Sequence, residues 1–431
     1  MEMSAHSVKK EARITGGILV TGSLCIFTTL QFFLQGSLSV MAYEIKQDFN
    51  IDAAGISLLS SVFFYSYILL QVPVGLILDK YGMKNTCFTA MLLMGISCIL
   101  FCLVDTLELA LFVRVFMGVG ASFGFIAMLR SIKVYFPSDQ FILVMSLVEF
   151  VGMVGVALCN ILFSFLTDAF SWRTSILITA VLCFLLALFW KTLDLSADQA
   201  LNKTKEEDSE DYVQGPSLST WNILKRVLSD RIVWMNGLFA AFLYSIITVF
   251  VALWGIPYAE KLYGLTTTQA AFLVSFVYFG LAFASLILSF VAKIFNFKFV
   301  VRFGSLLTVF LIAWFIYFPP QSVTLAYVLL FGAGATCSVY QLAFGLVSHS
   351  VSAETQSTAG GVTNMLCMSG APILQPLVGF ALTLTQGSFL DGYESYTVSQ
   401  YKSAFMVLIV CLALGFIFSW FIFPSQRRVK P

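Results

Sequence analysis

Long apolar runs separated by short polar clusters dominate the chain. Twelve of these runs, at 15–42, 54–78, 86–104, 109–135, 141–166, 172–191, 232–257, 268–293, 299–318, 323–348, 357–385 and 401–423, have the length of membrane-spanning helices. A helix needs about 20 mostly apolar residues to cross the hydrocarbon. Barrel strands would alternate polar and apolar positions over roughly ten residues, whereas these runs are continuous. The pattern therefore predicts an all-α membrane protein of twelve transmembrane helices. One long polar stretch, 192–231, separates the sixth run from the seventh. It predicts an N-terminal six-helix bundle (1–191), a cytoplasmic link (192–231) and a C-terminal six-helix bundle (232–431), the layout internal duplication produces. Within the link, KTKEEDSEDYVQGPS is a mixed-charge segment and STWNILKRVLSD has the pattern of a short amphipathic helix on the membrane surface.

Composition agrees with this pattern. Of 431 residues, 59% are hydrophobic and 11% charged, against about 25% charged in a soluble domain. The formal net charge of +1 gives no reason to expect a nucleic-acid partner. Lys9, Lys10 and Arg13 precede the first run, but that run is too long for a signal peptide and lacks a small-residue cleavage site, so it reads as an uncleaved span. With both termini cytoplasmic, the outer segments hold only Lys46, Arg173, Lys261 and Lys402. Arg114 lies within a span, and the rest of the 24 Lys and Arg fall inside. That is the positive-inside distribution of a multi-pass protein of a bacterial inner membrane. The nine cysteines are scattered without a ligand-like pairing, so neither metal nor cofactor is expected. A membrane-embedded enzyme would show a catalytic cluster at one face, and a nutrient receptor a larger soluble domain. The pattern shows neither.

Candidate chemistry comes from polar residues inside the runs. An ionisable group at mid-membrane costs roughly 2.5–3.5 kcal/mol on insertion scales, so each one is a functional candidate. Of the 23 acidic residues only Glu149 falls within a predicted span. Arg130, on the preceding span, lies equally far from the loop around Pro137, about 14 Å inward at the helical rise. The spacing predicts that the two can pair if their faces agree. Helical spacing also places Thr28, Gln31, Gln35 and Ser39 on one stripe, and Tyr67, Gln71, Gly75 and Asp79 on a second. A third carries Cys337, Gln341, Gly345 and Ser348 with Tyr340 beside it, and a fourth Gly361, Asn364, Met368 and Gln375. These stripes predict a polar cavity lining. Trp254, Tyr258 and Tyr278, aromatic rings with polar tips, are candidates to clamp a substrate.

After the second run the chain reads Gly75-Leu-Ile-Leu-Asp79-Lys80-Tyr-Gly82-Met-Lys84, and the fourth carries Arg114-Val-Phe-Met-Gly118-Val-Gly120 with Gly124 beyond. These segments resemble the signatures of the major facilitator superfamily. The stretches SLSVMAYEIKQDFNIDAAGISLLSSVFFYSYILLQVPVGLILDKYG and STAGGVTNMLCMSGAPILQPLVGF are similar to its phagosomal nutrient transporter branch in intracellular bacteria. The resemblance implies alternating access, a cytoplasmic gate at Gly75, Asp79, Lys80, Gly82 and Lys84, and a cavity that includes Arg114. It also implies import of a small polar nutrient, an amino acid or a nucleoside, coupled to protons, by a monomer in the lipid bilayer. An exporter or importer of a siderophore or drug-like compound is the alternative. The fifth run lacks the Gly-Pro of the antiporter motif, and the position of Leu38, often proline in relatives, departs from the family pattern.

Overall fold

The computed structural model describes residues 2–137, 140–196, 198, 220–352, 355–385 and 396–423, with the side chains of 2–15, Asp79, Phe141, Ile142, Thr220, Ser289, Ser357 and Thr385 outside that description. All the described elements are helical, and they form twelve spans in two six-span halves. The first half comprises Gly16–Asp48, Ala53–Leu69 with Gln71–Leu78, Met83–Leu103, Leu107–Tyr135, Leu143–Ala169 and Trp172–Thr192. The second comprises Arg231–Tyr263, Thr267–Leu288, Phe297–Tyr317, Val323–Ser350, Thr358–Leu384 and Val398–Phe418. Each predicted run matches one span. The first and seventh helices continue past their predicted ends, to Asp48 and Tyr263, because a helix keeps its backbone bonds after it leaves the hydrocarbon. A short helix, Thr220–Leu228, forms where the link pattern becomes amphipathic.

The bundle has a link face, from which the connection between the halves emerges, and a far face opposite. Prolines shape the helices that cross between halves. Proline lacks the N–H that would bond the carbonyl four residues earlier. The second span bends by 45° between Leu69 and Gln71, where Pro73 has no N–H to offer the Leu69 carbonyl. Pro376 does the same to the Pro372 carbonyl of the eleventh span, and the Tyr65 hydroxyl of the second span donates to that oxygen at 3.0 Å. A π-helical segment, Ile246–Trp254, precedes Pro257 in the seventh span, and its wider turn leaves room for the proline ring.

The glycines of the fourth span each admit a different neighbour. A Cβ at Gly118 would lie 2.3 Å from the Phe63 carbonyl of the second span. At Gly120 it would lie 2.9 Å from the Ala90 carbonyl of the third, and at Gly124 2.4 Å from the Gln31 amide oxygen of the first. One helix thus seats three others against itself, as small residues allow in lipid.

Contacts between the halves concentrate toward the far face. Gly379 of the eleventh span lies so close to Ala53 and Ser57 of the second that a Cβ there would meet the Ala53 carbonyl at 2.6 Å. Nearby, Thr383 donates to Asp52 at 3.0 Å, and the Ala53 N–H donates to the Tyr396 hydroxyl at 3.3 Å. Asp168, ending the fifth span, accepts from the hydroxyl and N–H of Thr268 at the start of the eighth, at 2.8 and 3.2 Å. A carboxylate suits that helix N-terminus. Toward the link face some contacts persist, with Phe150 of the fifth span against Phe283 of the eighth and Val72 of the second against the cluster around Val362. Gly75, Gly345 and Gly361 lie on the stripes that face the other half, yet each has open space where a side chain would begin. The halves thus meet tightly at the far face and leave a cleft beside these three glycines toward the link face.

Candidate functional site

The cleft ends on polar contacts at mid-depth. Gln71, at the bend of the second span, accepts from the Asn364 amide of the eleventh at 2.8 Å. Glu149, of the fifth span, reaches the tenth. Its Oε1 accepts from the Tyr340 hydroxyl and from the Gln341 amide, both at 3.4 Å. These are long hydrogen bonds, near the limit of useful geometry. Oε2 receives none among the described residues, and the side chain is half-buried, so the cleft can reach it.

The predicted pairing of Arg130 with Glu149 is corrected by the structure. Arg130 donates from Nε to Asp198 at 2.7 Å, and both side chains are almost wholly buried. Equal depth on adjacent helices is not sufficient, because the two side chains leave their helices on different faces. Asp198 was missed because it sits in the polar link, where an acid normally reads as a solvated charge. Its second oxygen accepts from the Met83 N–H at 2.8 Å, capping the third span. Two signals could have found it. Gly82 has no side chain with which to cap that helix, and Leu193 and Leu195 just upstream are buried rather than solvated. Removing one partner of a buried pair costs about 3–5 kcal/mol. Asp198→Ala is therefore expected to lower the melting temperature of the purified protein by several degrees. Arg130→Ala together with Asp198→Ala should lose less than the sum of the single changes, which thermal unfolding of all three variants checks.

Of the predicted gate residues, Gly82 turns between spans at φ 72, ψ 175, a conformation essentially confined to glycine. Lys80 is exposed over the Tyr81 ring, and Lys84 reaches the Leu193 carbonyl at 3.5 Å. Gly75 borders the open cleft, and the Asp79 side chain lies outside the described residues.

Two other predicted residues make contacts within their own halves. Arg114 is fully buried and donates to the carbonyls of Leu34 at 3.1 Å and Leu59 at 3.3 Å, with its guanidinium over the Phe63 ring and its Nη2 without a partner among the described residues. The Leu34 carbonyl is the one a proline at position 38 would release, so with Leu38 in place the first helix stays continuous and Arg114 binds the same oxygen. Tyr258 donates to the Ile316 carbonyl at 2.8 Å and packs edge-on against Phe315 and Phe405 within the second half.

The remaining lining residues are buried with polar atoms to spare. Both amide atoms of Gln31, Nε2 of Gln35, the Tyr67 hydroxyl and Nε1 of Trp254 have no hydrogen-bond partner among the described residues. Gln375 donates to the Thr248 carbonyl of the π segment at 2.6 Å, leaving its Oε1 unpartnered. Tyr278 lies where the eighth span meets the first, its hydroxyl 3.8 Å from the Cβ position of Gly36. Buried polar groups are normally satisfied, so this set of neutral donors and acceptors fits a polar ligand.

A twelve-span bundle whose halves meet tightly at one face and leave a polar cleft toward the other is the architecture of a secondary transporter. The chain belongs to the Major Facilitator Superfamily, whose sequence profile matches residues 24–376, and it is a multi-pass membrane transporter of that family. Among curated relatives it is 25% identical over 212 residues to "Uncharacterized transporter YybO" of Bacillus subtilis (strain 168), covering 48% of each chain. It is 22% identical over 273 residues to "Probable galactarate/D-glucarate transporter GarP" of Escherichia coli (strain K12), covering 58% of this chain and 61% of that one. These matches span about half to three-fifths of the relatives' own length. Among solved structures, a bacterial homolog of the human lysosomal transporter Spinster, inward-facing and unoccupied, superposes with a TM-score of 0.73 at 16% identity, covering 94% of this chain and 97% of that one. The nucleoside transporter NupG gives 0.69 at 15%, covering 94% and 98%. Identities this low establish a shared fold.

Proposed function

We propose that this chain is a proton-coupled symporter that imports a small polar nutrient, an amino acid before a nucleoside, across a bacterial inner membrane. The bundles 1–191 and 232–431 would rock as rigid bodies about the cleft, joined by the link 192–231 in the cytoplasm, and a single chain would suffice. The Lys and Arg distribution supports that orientation, which makes the link face the inner one. The observation that carries the reading is Glu149. Among the described residues it is the one carboxylate at mid-span, it bridges the two halves, and one of its oxygens has no partner. A group that binds a proton there would alter contacts between the bodies that must move.

Charge in the cleft bears on the cargo. Galactarate and D-glucarate, for which one relative is named, carry two carboxylates each and call for cations in the site. Here Arg130 is paired with Asp198, and Arg114 spends Nε and Nη1 on backbone carbonyls, which leaves at most its Nη2 for a carboxylate. Glu149 is left to face a proton or a substrate ammonium, and the amides and hydroxyls of Gln31, Gln35 and Tyr67 suit the carboxylate of a zwitterion. A nucleoside is the second reading, favoured by the same neutral donors and acceptors, which fit ribose hydroxyls and a base edge. The test is uptake into proteoliposomes of radiolabelled amino acids, nucleosides and D-glucarate, with and without an inward proton gradient. Gradient-stimulated accumulation of an amino acid or nucleoside is the expected result. Accumulation of glucarate alone would refute the charge argument, and accumulation of nothing would refute nutrient import.

A further inference from the structure

From Lys261 to Ser352 the chain has no acidic residue, and neither 355–385 nor 396–423 contains one. Three cations fall in this acid-free part at the link-face ends of the eighth and ninth spans: Lys293, Lys298 and Arg302. At the link face of the first half, Arg130 of the fourth span is engaged by Asp198 of the link; the turn between the eighth and ninth spans differs. This one has no acid to offer. Arg302 lies instead over Trp420, its Cζ 3.7 Å from the ring centroid, with Phe423 at 5.9 Å. Lys298 Nζ is 5.4 Å from the same Phe423 ring. Arg302 makes no hydrogen bond or ion pair among the described residues, and its Nε is buried without a partner. The aromatic rings cover the flat face of the guanidinium and leave its N–H edge, the part that grips an oxyanion bidentately.

The surroundings are those of a membrane edge. Ile294, Phe295, Trp420 and Phe421 are all more than half exposed, as in an interfacial aromatic belt. Phe299 and Phe303, outward on the same helix as Arg302, stack on each other at 5.3 Å and offer an apolar ledge toward lipid. We propose that Lys298 and Arg302, with Lys293 beside them, bind the headgroup phosphate of an anionic phospholipid whose acyl chains run along the Phe299–Phe303 ledge. Phosphate meets the guanidinium edge, and the ledge selects a lipid over a soluble anion. Basic clusters at a membrane edge attract anionic lipid, each cation contributing about fivefold in affinity.

The test uses the full-length protein in nanodiscs of phosphatidylcholine with added phosphatidylglycerol, reading retained lipid by native mass spectrometry. The wild type is expected to retain phosphatidylglycerol selectively. Arg302→Gln and Lys298→Gln should each lower that retention about fivefold, while Lys261→Gln, at the far face, leaves it unchanged. Lys298 is exposed, so its variant keeps the test decisive even if Arg302→Gln folds poorly. Equal retention of the two lipids, or variants that retain like the wild type, would overturn the proposal. So would displacement of the lipid by millimolar inorganic phosphate, which would mark a site for soluble anions.

Discussion

Gly379→Val is expected to reduce transport about 100-fold while leaving the protein folded. At this position the eleventh span touches the second across the closed far face. A Cβ would stand 2.1 Å from the Ser57 hydroxyl and 2.6 Å from the Ala53 carbonyl. The hydroxyl can rotate away, but the carbonyl belongs to the first turn of a helix and cannot. Overpacking a tight contact costs about 1–3 kcal/mol and sometimes more. At the upper figure the closed far face loses roughly a factor of 100 in population. The opposite conformation, with the far face open, separates these helices and feels no clash. Transport and accessibility should therefore change together. Uptake falls, while a cysteine placed at Thr383, which now bonds Asp52 across the interface, becomes reactive toward an impermeant maleimide. Gly379→Ala should do the same more weakly, and Ser57→Gly should restore part of its loss. If Gly379→Val transports normally and position 383 stays protected, the far-face contact does not gate the cleft.

The spans were legible because twelve continuous apolar runs admit no other reading in a bilayer. The amphipathic period likewise gave the helix at Thr220–Leu228. What the pattern did not show was how the helices bend and which faces meet. Pro73 and Pro376 were in plain view, yet a kink becomes specific only once a partner is seen, as when Tyr65 bonds the carbonyl that Pro376 frees. The site divides in the same way. Glu149 stood out because a carboxylate in an apolar run is costly and therefore rare. Its partners Tyr340 and Gln341 lie some 190 positions away in sequence, and their meeting depends on the rotation of two helices in different halves. The glycines after Arg114 were recognisable as close-packing residues, but that each of three serves a different helix emerges only in three dimensions.

The proton-coupling assignment carries the other large expected effect. Glu149→Gln should abolish gradient-driven accumulation while substrate exchange continues. The amide has nearly the same shape and can still accept from Tyr340 and Gln341, but it cannot take up a proton. Several other acids among the described residues are already engaged near the span ends. Glu44 accepts from the Trp172 N–H at 2.8 Å, Asp48 holds the Trp172 indole and Arg173, and Asp168 holds Thr268, all at the far face. Asp198 is committed to Arg130 and Met83 at the link face. One charge moved through the full field contributes about 2.3 kcal/mol per 100 mV, or roughly 50-fold in accumulation. That ratio is what the variant should lose. Exchange of internal for external substrate needs no net proton movement, so it should proceed near the wild-type rate and show that binding and rocking survive. Tyr340→Phe, which removes one long hydrogen bond but no titratable carboxyl, should keep accumulation and alter only its rate. If Glu149→Gln still accumulates substrate against its gradient, the carboxylate is a positioning group between the halves and the proton travels elsewhere.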